Sequence, residues 1–246
     1  MTKRTPRLLL LSNSKTGSMG YLESALPLIG DFLPKGLTEF LFVPYAAVTF
    51  GFDEFEARVT KALEPLGVAA RSVHRCKDPL AAVAEARLIA VGGGNTFALL
   101  RRLREANLLV AIRDAVLGGT PYMGWSAGSN VTGPTIRTTN DMPICDPGGF
   151  DALGLIRFQI NPHFISGKPH GHNGESREER LAEFTAFNPA MPVLALPEGA
   201  ALIRECDQFR LAGSPGALVF SGGDVTALDD GEDVSWLNAG LPRPRT

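Results

Sequence analysis

Residues 122–130 (YMGWSAGSN) read as the end of a buried strand, a Gly-x-Ser-x-Gly turn and the opening of a helix. Small residues on both sides of the serine let the backbone turn sharply and hold the side chain out, the arrangement called a nucleophile elbow. Gly124 and Gly128 have no Cβ, so strand and helix can approach closely around Ser126. Its hydroxyl then lies at a helix N-terminus, where free backbone N–H groups favour developing negative charge. The pentapeptide alone is common, and a tight strand-to-helix turn without chemistry accounts for it equally well. The rest of the chain has to decide.

Upstream of the turn, apolar runs alternate with helical patterns. Residues 7–12 (RLLLLS) form a nearly continuous apolar run ending in small polar residues, as central strands of parallel sheets do. Residues 39–43 (EFLFV), 68–74, 87–91 (RLIAV) and 121–125 are expected as further strands. Between them, helices are expected over 21–32, 52–66, 79–86 and 107–117, with another from 127 to 131. Pro27 should kink the first or sit near its start. Phe52, Phe55, Val59, Leu63 and Leu66 fall at helical spacing, a core-facing stripe. A glycine triplet, Gly92-Gly93-Gly94-Asn95, joins the fourth strand to a helix that carries Leu99, Leu100 and Leu103. Main-chain N–H groups can approach a ligand there. The triplet matches neither the P-loop nor the dinucleotide pattern.

This alternation predicts an α/β fold: a three-layer sandwich around a mostly parallel sheet. In such sheets ligands bind beyond the carboxyl ends of the strands, where both the triplet and the Ser126 turn fall. Beyond residue 131 the pattern changes. Residues 135–150 make a long polar connection, 158–161 (FQIN) a short strand, and 175–187 a charged helix with Leu181, Phe184 and Phe187 inside. A strand at 193–196 (VLAL) leads to Pro197-Glu198-Gly199. The stretches 201–205, 209–212, 217–220 and 225–228 read as antiparallel strands. The tail from Gly240 is expected to be mobile, and one domain to span 1–246.

Composition narrows the functional classes. Of 246 residues, 44% are hydrophobic and 20% charged, ordinary for a soluble globular protein. The longest apolar runs (8–11, 88–91, 217–220) are far too short to cross a bilayer. A signal peptide would need a longer apolar region than residues 8–11 offer, so these are expected to be a strand. A formal net charge of −2 gives no reason to expect nucleic acid or an acidic membrane as partner. Three widely spaced cysteines without a CxxC fit reduced thiols in a cytoplasm.

A serine hydroxyl needs a base, most often histidine. Of the four histidines, His74 precedes the elbow in another part of the sheet, and a surface or satisfied role suits it. His163 follows a strand at a proline-braced turn. His170 and His172 sit in a glycine-rich loop and could touch substrate; no carboxylate or cysteine cluster completes a zinc site with them. An acid should orient the imidazole. Glu198 follows the VLAL strand, with Asp141 and Asp146 of the polar loop as alternatives.

At these residues the chain resembles peptidase E, the aspartyl dipeptidases: serine enzymes on a sheet like that of the class I glutamine amidotransferases, a flavodoxin-like arrangement. GGGNTF at 92–97, GWSAGSN at 124–130, PTIRTTNDMPI at 134–144, INPHF at 160–164, GHNGESREER at 171–180 and LPEG at 196–199 carry the resemblance. It implies Ser126 as nucleophile, His163 as base and Glu198 as the orienting acid. The order Ser, His, Glu differs from that of α/β-hydrolases. It implies an oxyanion hole at Gly94 and Ala127, no metal or other cofactor, and removal of an N-terminal aspartate from dipeptides and some short peptides. Ser129 stands where alanine is usual and Ser176 where threonine is common.

Recognition of that aspartate needs a cation for the β-carboxylate and acceptors for the amine. Arg177 is the first choice for the carboxylate, ahead of Arg137; a surface ion pair with Glu175 or Glu179 would explain Arg177 without any substrate. Asp141 is expected to take the ammonium, with Asn95 nearby and His172 touching substrate. The implied partner is a small peptide in the cytoplasm, with a homodimer left open. Two other readings share the elbow: a cyanophycinase-like peptidase acting on an aspartate–arginine polymer, and an inactive amidotransferase-like domain that binds a small ligand.

Overall fold

The computed structural model describes residues 6–168, 171, 173–213 and 216–240. The strands are β1 (Leu8–Leu11), β2 (Glu39–Val43), β3 (Ala69–Ser72), β4 (Ile89–Val91), β5 (Tyr122–Trp125), β6 (Gln159–Phe164), β7 (Val193–Pro197), β8 (Ala201–Glu205), β9 (Gln208–Ala212), β10 (Ala217–Ser221) and β11 (Asp224–Leu228). The helices are α1 (Leu26–Phe32), α2 (Phe52–Leu63), α3 (Pro79–Glu85), α4 (Thr96–Glu105), α5 (Leu108–Leu117), α6 (Ala127–Asn130), α7 (Arg177–Phe187) and α8 (Ser235–Ala239). Pro27 sits in the first turn of α1, where its missing N–H has no partner to lose.

Seven strands form one sheet in the order β3-β2-β4-β5-β1-β8-β9, with the first five mutually parallel. Side chains alternate across it. Leu8, Leu10, Leu41, Val43, Ile89 and Val91 enter one core with α3, α4 and α5; Leu9, Leu11, Phe40, Phe42, Ala90 and Trp125 enter the other with α1 and α2. Helices therefore cover both faces, as expected of strands that are apolar on both sides. At the exposed edge, the amides of Ala70 and Ser72 in β3 are taken by Thr60 Oγ1 and Glu56 Oε1 from α2, which blunts the edge against pairing.

The late strands divide between two sheets. The hairpin β8–β9 extends the main sheet antiparallel to β1, whereas β10–β11 joins β7 and β6 in a second, four-stranded sheet. There β6 and β7 run parallel, and β10 is antiparallel to β7. One face of this sheet (Ile160, Leu194, Leu196, Val219) closes the α3–α5 core; the other (Phe164, Val193, Ala195, Phe220) is covered by α7 through Leu181. Phe187 was expected inside and is instead 88% exposed, at the last position of α7. Residues 241–246, most of the tail read from Gly240, lie outside the described residues.

Three carboxyl ends meet at the centre of the main sheet: β1 ends at Ser12-Asn13, β4 at the glycine triplet, and β5 at Ser126. Packing there leaves no room for side chains. A Cβ on Gly128 would lie 2.0 Å from the Val91 carbonyl oxygen, and one on Gly124 2.5 Å from that of Gly128. The buried Tyr122 hydroxyl donates to the Gly128 carbonyl at 2.6 Å, locking α6 onto β5. Tyr122→Phe strands that carbonyl without a partner and should cost about 1–3 kcal/mol. The denaturation midpoint should fall with an unchanged urea m-value.

Candidate active site

Ser126 has φ 55° and ψ −115°, a left-handed conformation that L-residues rarely hold. Surrounding bonds enforce it. Its amide donates to the Leu11 carbonyl, and its own carbonyl accepts from the amides of Ser129 and Asn130. The buried Ser129 hydroxyl is shared between the Leu11 and Gly124 carbonyls at 2.7 and 2.9 Å, so this serine braces the turn from beneath.

His163 lies within β6 rather than after it, at a register shift between Asn161 and Phe164, with φ 54°. Its amide donates to Ser12 Oγ at 2.8 Å, and Ser12 Oγ donates to the Leu196 carbonyl at 2.8 Å, so one hydroxyl from β1's end joins β6 to β7. Glu198 follows β7, and the next amide, Gly199, donates to Asn13 Oδ1 at 2.8 Å. The imidazole spans the gap: Nδ1 is 2.8 Å from Glu198 Oε1 and Nε2 is 3.0 Å from Ser126 Oγ. A carboxylate only accepts, so Nδ1 carries the proton and the neutral ring's Nε2 accepts from the serine hydroxyl.

These residues open on a cleft of about 280 Å³, whose wall includes Asn130, Asp141, Ile165 and Arg177. Arg177 opens α7 immediately after the N-cap Ser176, which forms a capping box with Glu179. A cation at the positive end of a helix is opposed by the dipole. Burial depresses its guanidinium pKa, the nearby Glu198 partly offsets this, and Arg180 adds to it. Its Nη1 is buried and has no hydrogen-bond partner among the described residues. The alternative surface pairs of Arg177 do not form: Glu175 pairs with Arg180, and Glu179 with Lys168.

Asp141 directs Oδ2 to the Thr96 amide, the Thr96 hydroxyl and the Thr139 hydroxyl, at 2.7, 2.6 and 3.1 Å. Oδ1 enters none of the hydrogen bonds among the described residues. Asn95 spends both ends within the protein, accepting from Ala98 N as the N-cap of α4 and donating to the Met142 carbonyl. It is not among the residues lining the cleft. Arg137 lies over the Phe184 ring in an adjoining cavity of about 250 Å³ that shares Arg177 and Asp141 with the cleft. Ala127 lines the cleft. Gly94 follows Gly93, on which a Cβ would lie 2.9 Å from Ser126 Cβ. His170 and His172 lie outside the described residues. Asp146 turns back to the Gly148 amide.

His74 is held elsewhere, between Ser72 Oγ and Asp53. Asp53, Glu56 and His74 bring potential ligand atoms within 4.8 Å of one another. Arg75 pairs with both carboxylates and supplies the positive charge there.

Residues 8–212 match the family model for Peptidase family S51. The chain belongs to that family. It is 54% identical over 216 residues to Peptidase E of Pasteurella multocida, covering 87% of this chain and 92% of that one. To Peptidase E of Haemophilus influenzae it is 57% identical over 197 residues, 79% of this chain and 90% of that one. Among solved structures, a peptidase from an acI-B1 Actinobacterium superposes with a TM-score of 0.65 at 18% identity over 94% of this chain and 97% of that one, a likeness of fold. The S51 chain is a peptidase. Among its described residues no helix is long and apolar enough to cross a membrane.

Sequence reasoning passed over Ser12, Asn13 and Asn130. The first two were marked only by their place at the carboxyl end of a central strand. Asn130 is 1% exposed; its amide nitrogen donates to the Ile160 carbonyl at 2.8 Å, tying the elbow helix to β6. Ser12→Ala should lower stability by about 1–3 kcal/mol, since the Leu196 carbonyl and His163 amide both lose a buried partner. Turnover should fall with it, because the imidazole loses its backbone anchor. Chemical denaturation and steady-state kinetics on the same variant check both effects.

Proposed function

We propose that this S51 peptidase is a cytoplasmic serine-type dipeptidase that hydrolyses the bond after an N-terminal aspartate. The observation that carries the reading is His163 bridging Ser126 Oγ and Glu198 across a cleft whose wall holds Arg177, without an ion pair among the described residues. Ser126 Oγ attacks the scissile carbonyl while His163 Nε2 takes its proton, and Glu198 stabilises the resulting imidazolium. The tetrahedral oxyanion meets the Gly94 and Ala127 amides. His163 returns the proton to the leaving amine, giving an aspartyl ester on Ser126. Water, deprotonated by the same imidazole, then releases free aspartate.

Charge placement supports aspartate as the acyl residue. Arg177 supplies a cation for the β-carboxylate, and Asp141 Oδ1 an acceptor for the α-ammonium. Those two groups distinguish an N-terminal aspartate from the interior of a peptide. A cleft of about 280 Å³ suits a short substrate.

Hydrolysis of X-Leu dipeptides with X as Asp, Glu, Asn and Ala tests the reading. Asp-Leu should be cleaved far faster than the rest. Equal rates across the panel, or cleavage of aspartate–arginine polymer in preference to Asp-Leu, would overturn it.

A further inference from the structure

The glycine triplet's geometry is set from outside the triplet. Gly94 has φ 138°, and a Cβ there would sit 2.3 Å from the Ala46 carbonyl oxygen, so its backbone lies directly against the loop that follows β2. Two hydrogen bonds fasten loop and triplet on either side of the closest approach: Gly92 N to the Val43 carbonyl at 3.1 Å, and Asn95 N to the Ala46 carbonyl at 2.9 Å. Between them, the Gly93 and Gly94 amides donate to no group among the described residues. They are the free donors of this turn, and Gly93 abuts Ser126.

The loop is itself gripped from the far end of α4. Arg102, in the last turn of that helix, donates through Nη1 to the Tyr45 carbonyl at 2.7 Å and also to the Ala47 carbonyl. The two accepting carbonyls flank Ala46. The guanidinium also packs over the Phe52 ring at 5.3 Å from its centroid, which restricts its freedom. One rigid cation thus fixes the carbonyls on both sides of the residue that meets Gly94. Ala46 is completely buried and Ala47 nearly so, which leaves the loop little room to relax.

We infer that Arg102 is a positioning residue for the reaction: through Ala46 it sets the direction of the Gly94 N–H toward the oxyanion formed at Ser126. This rests on the serine mechanism proposed above. Such a residue acts on kcat and leaves ground-state binding alone, because the oxyanion exists only in the transition state. Misplacing a donor by about 1 Å is enough to cost on the order of 10²-fold in rate.

The test compares Arg102→Met and Arg102→Lys with wild type and with Arg113→Met. Arg113 holds the Ala152 and Leu153 carbonyls, away from the triplet. Three readouts are taken on folded protein: kcat and KM for Asp-Leu, the affinity of the α-amino boronic acid analogue of aspartate, and the affinity of a reduced-bond Asp-Leu analogue. The boronate accepts the Ser126 oxygen and mimics the tetrahedral intermediate; the reduced analogue has no carbonyl.

Arg102→Met should lower kcat about 10- to 100-fold and weaken the boronate by a similar factor. KM and the reduced analogue should stay within about twofold. Arg102→Lys, which keeps one cationic donor, should recover part of the loss, and Arg113→Met should show none of it. An unchanged kcat in folded Arg102→Met overturns the inference, as does a loss shared equally by the reduced analogue. Should the Met variant not fold, the Lys variant decides by the same pattern: a kcat loss at constant KM supports the inference and an unchanged kcat overturns it. Failure of the underlying mechanism would appear separately, as wild-type protein that neither cleaves Asp-Leu nor reacts at Ser126 with a fluorophosphonate.

Discussion

Ser126→Ala is expected to abolish turnover of Asp-Leu, by about 10⁴-fold or more, while the protein stays folded. The hydroxyl is the group that becomes bonded to substrate carbon, and the threonine hydroxyls that line the cleft, those of Thr96 and Thr139, are engaged with Asp141. Folding should be little affected, because alanine keeps the Cβ and the hydroxyl's bond in the resting protein is to the half-exposed His163. Ser126→Gly separates chemistry from strain further. The φ of 55° costs a non-glycine residue roughly 1–3 kcal/mol, against about 0.4–1 kcal/mol for glycine's larger unfolded-state entropy. The glycine variant should therefore be as inactive as Ser126→Ala yet more stable than it in urea. Residual activity above a trace in either variant would end the covalent mechanism. A glycine variant less stable than the alanine one would mean that the elbow is unstrained.

Arg177→Met is expected to erase most of the preference for Asp over Asn at the substrate's first residue. Asn is nearly isosteric with Asp but neutral, so it leaves the guanidinium without a counter-charge. Removing one member of a desolvated charge pair costs about 2–5 kcal/mol, roughly 30- to several-thousand-fold in kcat/KM. The lower half of that range is expected, because Arg177 is only partly buried and solvent screens part of the interaction. Asp-Leu hydrolysis should fall by this factor in the variant and Asn-Leu hydrolysis should change little. Glu-Leu should be poor already in the wild type, since the extra methylene displaces the scissile carbonyl from Ser126. If Arg177→Met lowers Asp-Leu and Asn-Leu equally, the β-carboxylate is bound elsewhere. Arg137, on the wall of the adjoining cavity, is then the next residue to replace.

The features legible in the chain alone were those written in adjacent residues. Continuous apolar runs such as 7–12 and 87–91 mark strands buried on both faces whatever their partners, and β1 and β4 form within those limits. The elbow was legible for the same reason: two glycines beside Ser126 permit a turn that other residues would block, and the contacts at Gly124 and Gly128 are that permission in use. Position near the end of the sheet where ligands bind made Ser126, His163 and Glu198 candidates; with Asp141 and Asp146 open as alternative acids, their three roles were assigned by the resemblance of the surrounding motifs to peptidase E.

What the tertiary structure decided was pairing, between strands and between side chains. The late stretches look alike in sequence, yet β8–β9 joins the main sheet and β10–β11 the second, because which edge a hairpin meets depends on long-range register. Phe187 fits the apolar stripe of its helix in sequence, yet in the structure Leu181 and Thr185 of that helix are buried and Phe187, its last residue, is exposed. The sequence offered Asp141 for the substrate ammonium, with Asn95 nearby. Three dimensions give both ends of Asn95 to a helix cap and the Met142 carbonyl, and only one oxygen of Asp141 to Thr96 and Thr139. A surface ion pair was the alternative for Arg177. Among the described residues it has no ion pair, because Glu175 and Glu179 are drawn to Arg180 and Lys168. A local pattern determines what backbone a segment prefers; whether a polar group is free for a ligand depends on every other group that can reach it, and only the folded chain brings those together.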